Sequence, residues 1–257
     1  MSHAMRTILD NFTQHVADVN RLIEFDREVM HVAISAVEEL HERLVNKMGI
    51  TNEQMNGGRA LKILRGVRDN ESLKPRFSLI LNQAVVLLVS YFGSAVEDVF
   101  SSAMTATLRD GGSSRLLKED LKLTVGELID AASSAEDALV ALFIEKKDLS
   151  FQDMKAIHRA FRDYIGVEID KDAVVNNIIL AQACRHVIVH AGGEITPRLT
   201  RQVSEAFPRD IKAKLPNSSV VQFSQQEVQT IAESMMGYLS NLVMKTESAI
   251  SRTSAQH

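Results

Sequence analysis

The chain has 257 residues, 45% of them apolar, enough to bury a sizeable core in one large domain or in a domain with an extension. Its 29 Lys and Arg stand against 33 Asp and Glu, a net charge of -4 that excludes the global basic field behind non-specific nucleic-acid binding; any nucleic acid must be held by a local patch. One cysteine, Cys184, excludes an intrachain disulfide framework and fits a reducing compartment, and the start MSHAMRTILDNF lacks the apolar run of a signal peptide.

From Asn11 to Met48 the apolar residues Val16, Val19, Ile23, Met30, Ala33, Val37, Leu40 and Leu44 recur at steps of three and four, with Asp26 the one interruption. That is the seam of a long amphipathic helix packed on a partner. His15, His31 and His41 read as ordinary surface or boundary residues of it. Gly49 closes the helix, and TNEQMNGG over 51–58 reads as a break. Arg59, Lys62, Arg65 and Arg68 then recur every three residues around Leu61, Ile63, Leu64 and Val67, so one short helix carries a basic face. It is either a solvated surface or a contact for an RNA backbone.

Pro75 marks the next start, and Phe77 to about Leu108 predicts a core helix, apolar over Ala84 to Val89 and aromatic at Tyr91 and Phe92. The run Ala84 to Val89 is too short to span a bilayer, so a cytoplasmic protein with no membrane partner is expected. Glu97 and Asp98 are this helix's acidic pair, either surface carboxylates or a partner for Arg185. DGGSS over 110–114 ends the helix, and another, starting at Thr124 or Gly126, reaches Lys147. Ser150 reads as the N-cap of a helix from Phe151 to about Ile165, with Asp153 as its capping-box partner and Gly166 as its stop.

Asp172 to Thr196, DAVVNNIILAQACRHVIVHAGGEIT, predicts a helix of about five turns stopped at Gly192-Gly193. Apolar residues fall nearly all the way round it, so it must be covered on most sides. Its last two turns nevertheless carry Arg185, His186 and His190. Charged or ionisable groups on a buried helix cost several kcal/mol unless paired, hydrated or used. A polar, weakly helical connection follows to Leu215, then an extended piece at Val220 to Phe223, then a helix capped by Ser224 with Glu227 in the capping-box position. Ser248 to His257 reads as a flexible polar tail. With no repeat and almost no strand alternation, the fold class is all-α.

Arg185-His186-Val187-Ile188-Val189-His190, followed by Ala191-Gly192-Gly193, is an Arg-x4-His arrangement at the end of a buried helix. It resembles the HEPN superfamily, specifically the HEPN-like nucleases related to the RiboL-PSP-HEPN group. The stretches VVLLVSYFGSAVEDVF and SFQDMKAIHRAFRDYIGVEID before it, and the extended piece and capped helix after it, extend the resemblance over about Phe77 to Thr246. Three positions depart from the pattern. His186 stands for the commoner asparagine, Gly192 for a tyrosine found in one variant, and Gly93 for an acid often present after the aromatic pair.

The resemblance implies a HEPN-like helical bundle over 77–247 with residues 1–76 as a helical extension. It also implies metal-independent RNA cleavage without a cofactor, a homodimer, and a toxin or anti-phage defence setting with a cognate antitoxin or defence-system partner protein. The chemistry is consistent with the residue types. RNA carries its own nucleophile, the 2′-OH. Cleavage then needs a base, an acid and a cation on the phosphate; histidine serves the first two and arginine's planar fork the third. His190 is expected as base or acid, Arg185 as phosphate clamp and His186 as an auxiliary donor. On a straight helix Arg185 and His190 diverge by about 140°, so the composite site is expected from two protomers unless the last turn unwinds at the glycines.

Other readings stay open. Arg185 pairing a carboxylate while His190 caps the helix is the structural alternative, and His186 with His190 forms an HxxxH pair that a metal ion could use. A non-catalytic HEPN-like module that binds a nucleotide or a protein partner is the functional one.

Overall fold

A computed structural model of the protein describes residues 1–48, 59, 62, 63, 65, 66, 74–109, 118–122, 124, 126, 135–170, 172–204 and 220–254. The expected break at 51–58 and the connection over 205–219 lie outside the described residues, as does Arg68. Within them the chain is all-α: α1 (His3–Met48), α2 (Lys74–Arg109), α3 (Ala135–Lys146), α4 (Met154–Ala160), α5 (Ala173–His190), α6 (Pro197–Ser204) and α7 (Gln225–Ser254). The extended pairing among the described residues is an antiparallel bridge between Glu194 and Val220.

The hub is α2, which packs against α1, α3, α5 and α7. Its sequence explains why. Ala84, Val85, Leu88, Val89, Phe92, Ala95, Val96, Val99, Phe100, Ala103 and Met104 are all buried, and they recur three and four apart through some six turns. Each large one contributes about 1.5–3 kcal/mol by leaving water. Residues Leu79–Arg109 are long and apolar enough to cross a bilayer by length and hydropathy; half of their most apolar window is buried by the other helices, as in a core helix.

Helix α1 starts eight residues before the predicted Asn11. Met5, Phe12, Val16 and Val19 lie in the same core as α2, α5 and α7, with Phe12 edge-on to Phe92 and Phe92 edge-on to Tyr238 of α7. His15 stacks flat on Tyr91, ring centroids 4.1 Å apart, and so helps seat α1 on α2. A second aromatic group, Phe100, Phe143, Phe151, Phe161 and Tyr164, ties α2 to α3 and α4.

The N-cap of α4 is Asp153 rather than Ser150. The Asp153 carboxylate accepts from Ala156 N at 2.8 Å, whereas the Ser150 hydroxyl accepts from Gln152 N in the turn before the helix. A carboxylate three residues before an open N–H is the stronger cap at a helix N-terminus. A π turn, Phe161–Ile165, continues α4 and ends where predicted, at Gly166 with φ +75. Helix α7 begins with the expected capping box: Ser224 Oγ accepts from Glu227 N, and Glu227 Oε2 accepts from Ser224 N. It continues to Ser254, past Ser248, where composition suggests a flexible tail. Thr246 is fully buried and Ala249 and Ile250 pack against the core, so an apolar face persists inside a polar stretch.

Candidate functional site

Helix α5 is capped by Asp172, whose carboxylate accepts from Val175 N at 3.0 Å, and it is covered on most sides as its all-round apolar pattern requires. Val175, Ile178, Leu180, Ala181, Gln182, Ala183, Cys184 and Val187 are buried; Val189 is exposed. Gln182 is the buried polar exception, and its side-chain oxygen accepts from Met154 N at the start of α4. Burial pushes the Cys184 thiol up to about 12, so it is an inert core group.

The C-terminal end is where polarity gathers. The helix stays regular through His190 and does not unwind there. The turn comes after it, at Gly192 and Gly193, both left-handed at φ +59 and +87. Gly193 N donates to Val187 O, and Val221 N donates to Gly193 O at 2.8 Å. A Cβ on Gly193 would press on Val220 at 3.2 Å, so glycine is needed for space as well as for φ. Behind this turn, buried Asn82 of α2 donates to Val221 O at 2.8 Å and accepts from Phe223 N at 3.3 Å. The extended piece is thereby locked to the hub, and it in turn holds the end of α5. Nothing in the sequence pattern singled out Asn82, because an isolated amide in an apolar run carries no spacing signal.

His186 and His190 face one another across one helical turn, ring centroids 4.8 Å apart and tilted by 49°. His186 is half-buried and His190 exposed. Burial holds the His186 imidazole below its ordinary pKa, and the positive charges of Arg198, His190 and Arg185 add to that. Arg185 is half-buried, and its Nε is enclosed with no hydrogen-bond partner among the described residues. No ion pair joins it to Glu97 or Asp98 there. Both of these carboxylates are exposed on α2, and both titrate above the usual range, through partial burial and, for Glu97, the neighbouring Asp98 charge.

Of the expected basic face, Arg59, Lys62 and Arg65 are helical and exposed, but Arg65 is engaged by Glu38 of α1. Arg59 and Lys62 remain as its outward cations. Gly93 is tightly enclosed. A Cβ there would lie 3.2 Å from Phe151 O and 3.0 Å from the Gln152 side-chain amide, so both must give way to any larger residue. Among the described residues no group of three or more His, Cys, Asp or Glu could hold a metal ion. An open groove of about 770 Å³ lies at the far end of α2, lined in part by Ser102, Thr105, Arg109, Asp137 and Glu247, and does not include the Arg/His cluster.

No family model, no curated protein and no solved structure matches the chain.

Proposed function

We propose that the protein is a metal-independent endoribonuclease of the HEPN type, a homodimer whose site is the C-terminal end of α5. The observation that carries this reading is the pairing of two imidazoles 4.8 Å apart, one of them held below its ordinary pKa, beside a guanidinium with an unpaired Nε. A ring that stays neutral near pH 7 suits the base that takes the 2′-OH proton, so His186 fits that role better than the auxiliary donor expected from its position. His190, exposed at the helix end, then protonates the departing 5′ oxygen. Arg185 receives the phosphate charge. Because α5 is regular to its end, Arg185 and His190 of one protomer remain about 140° apart around the axis, and a second protomer supplies the opposing pair. The setting implied by the resemblance is a toxin or anti-phage effector governed by a cognate antitoxin or another defence-system protein.

The test is RNA cleavage in EDTA by the wild type and by Arg185→Ala/His190→Ala. Loss of about 10²–10⁴ in rate is expected for removing an acid–base group; equal cleavage by both proteins refutes the assignment. Light scattering that shows only monomer at working concentration removes the two-protomer site.

A second reading, a non-catalytic helical module that binds a nucleotide or a partner, is favoured by the outer half of α1. Leu22, Val29, Val32 and Leu40 are exposed along that helix, an apolar stripe left uncovered among the described residues. Absence of cleavage together with saturable partner binding by α1 would select it.

A further inference from the structure

Of the 8 histidines in the chain, His186 and His190 are the pair spaced four apart. Four residues make one helical turn plus about 40°, so the two side chains stand one above the other on the same face. Their rings lie with centroids 4.8 Å apart and a 49° tilt, His190 exposed and His186 half-buried. Neither ring has a hydrogen bond or an ion pair among the described residues, so the ring nitrogens are not committed within them. The backbone beneath is well held. Helix α5 is regular through His190, Ala191 N donates to Val187 O at 2.8 Å, and the turn beyond is tied to Val221 through Gly193 O.

That separation lets a single ion meet both rings. With a metal–nitrogen bond of about 2.0–2.1 Å and a ring nitrogen about 1.1 Å from its ring centre, the ion stands about 3.2 Å from each centre. The two centres are then about 4.5 Å apart for ligands at 90° and about 5.2 Å apart at the tetrahedral angle; the observed 4.8 Å lies between these values. Aiming the nitrogens at a shared point uses the soft ring torsion χ2, which is least restricted at exposed His190. Among the described residues no third His, Cys, Asp or Glu joins the pair, so water takes the other positions on the ion. Imidazole suits Zn²⁺, whereas Mg²⁺ and Ca²⁺ require oxygen ligands. Burial, and then the charges of Arg198, His190 and Arg185, favours the unprotonated His186 ring, the form that ligates. The same charges oppose a dication, which makes such a site weaker than a closed four-ligand one.

We propose that His186 and His190 form a two-imidazole chelate for a zinc-like divalent transition metal, and that the bound ion reversibly blocks the acid–base pair at the end of α5. A nitrogen that ligates the ion has no lone pair left to take a proton and no proton to give. The chelate stands on the geometry of the pair alone; its inhibitory effect rests on the nuclease reading, to which it adds a means of regulation.

The probe is Zn²⁺ alone, added to the full chain in a non-chelating buffer and followed by calorimetry and through the imidazole resonances. Wild type is expected to bind saturably, with the His186 and His190 rings shifting together and that of exposed His31 unmoved; Mg²⁺ at the same concentration shifts neither. His190→Ala and His186→Ala each weaken binding about tenfold or more, because attachment of the second ligand is intramolecular. His31→Ala keeps the wild-type affinity, and matched melting temperatures verify that each variant is folded. Movement of one ring only, unchanged affinity in His190→Ala, or an equal loss in His31→Ala overturns the chelate. RNA cleavage by the wild type reads the second half: saturating Zn²⁺ stops it and EDTA restores it. Cleavage that continues with both rings occupied overturns the inhibition, whereas zinc binding by a protein that cleaves no RNA removes the nuclease and leaves the chelate.

Discussion

Replacing Asn82 by alanine tests whether the end of α5 is held from behind by the hub helix. The amide is 7% exposed and serves both Val221 O and Phe223 N, whose residues are themselves 0% and 6% exposed. Alanine leaves one buried carbonyl and one buried N–H without partners, each costing about 1–3 kcal/mol, so the variant should lose roughly 2–5 kcal/mol. At about 2–4 °C per kcal/mol for a chain of this size, the melting midpoint falls by roughly 4–20 °C. Urea unfolding should show a lower midpoint with an unchanged slope, because the same surface is exposed on unfolding. The local signature is faster amide exchange at Val221, whose N–H bonds Gly193 O directly behind the Arg/His cluster. A midpoint within about a degree of wild type would mean that the 220–223 segment holds itself in place, and the account of how α5 is anchored would be wrong.

Gly93→Glu is expected to destabilise by about 3 kcal/mol, since its Cβ must displace the Phe151 carbonyl; chemical denaturation with a Gly93→Ala control reads it, and a neutral Glu variant removes the packing explanation. Cys184 should resist a thiol reagent in native buffer and react fully in denaturant, because the thiol is buried and titrates near 12; fast native labelling contradicts that placement. His186 should titrate below free histidine, driven by burial and then by Arg198, His190 and Arg185. Since its folded pKa lies below the unfolded one, the stability linked to this ring is complete above about 6.5 and is lost as pH falls through the folded value. Arg198→Ala should raise that pKa, and a proton-detected titration in which it falls would refute the electrostatic assignment.

The helices were legible wherever one apolar face had to be buried. The apolar core helix α2, the Gly166 and Gly192-Gly193 stops, the Asp172 start and the Ser224–Glu227 box all stand where periodicity and capping chemistry put them. What the pattern misjudged was rank and extent. Helix α5 drew attention because charge sits on its buried body, yet α2 is the hub, since a helix that touches four others needs only a wide stripe and no anomaly to mark it. The α4 cap moved from Ser150 to Asp153 because both residue types cap well and only the backbone decides between them. Of the candidate site, the three motif residues were readable from spacing. The charge of Arg198 that bears on His186 was not, because it comes from beyond the turn at the glycines and leaves no trace in local periodicity. Arg65 looked like an outward cation because its partner, Glu38, lies on another helix.

Helix α1 has a mechanical consequence. Its residues in the main core end at Val19, with Ile23 packed against them, while the helix runs on to Met48. About 29 residues, or roughly 43 Å of helix, continue past the seat at Val19, with Ile34 buried and Glu38 paired to Arg65 along the way. A tilt of about 5° at that seat swings the far end by about 4 Å. Close to that seat His15 stacks on Tyr91, one residue from Phe92 in the middle of the hub. Load applied near Leu40 therefore acts through a lever on the contacts that α1 makes with α2 and α7.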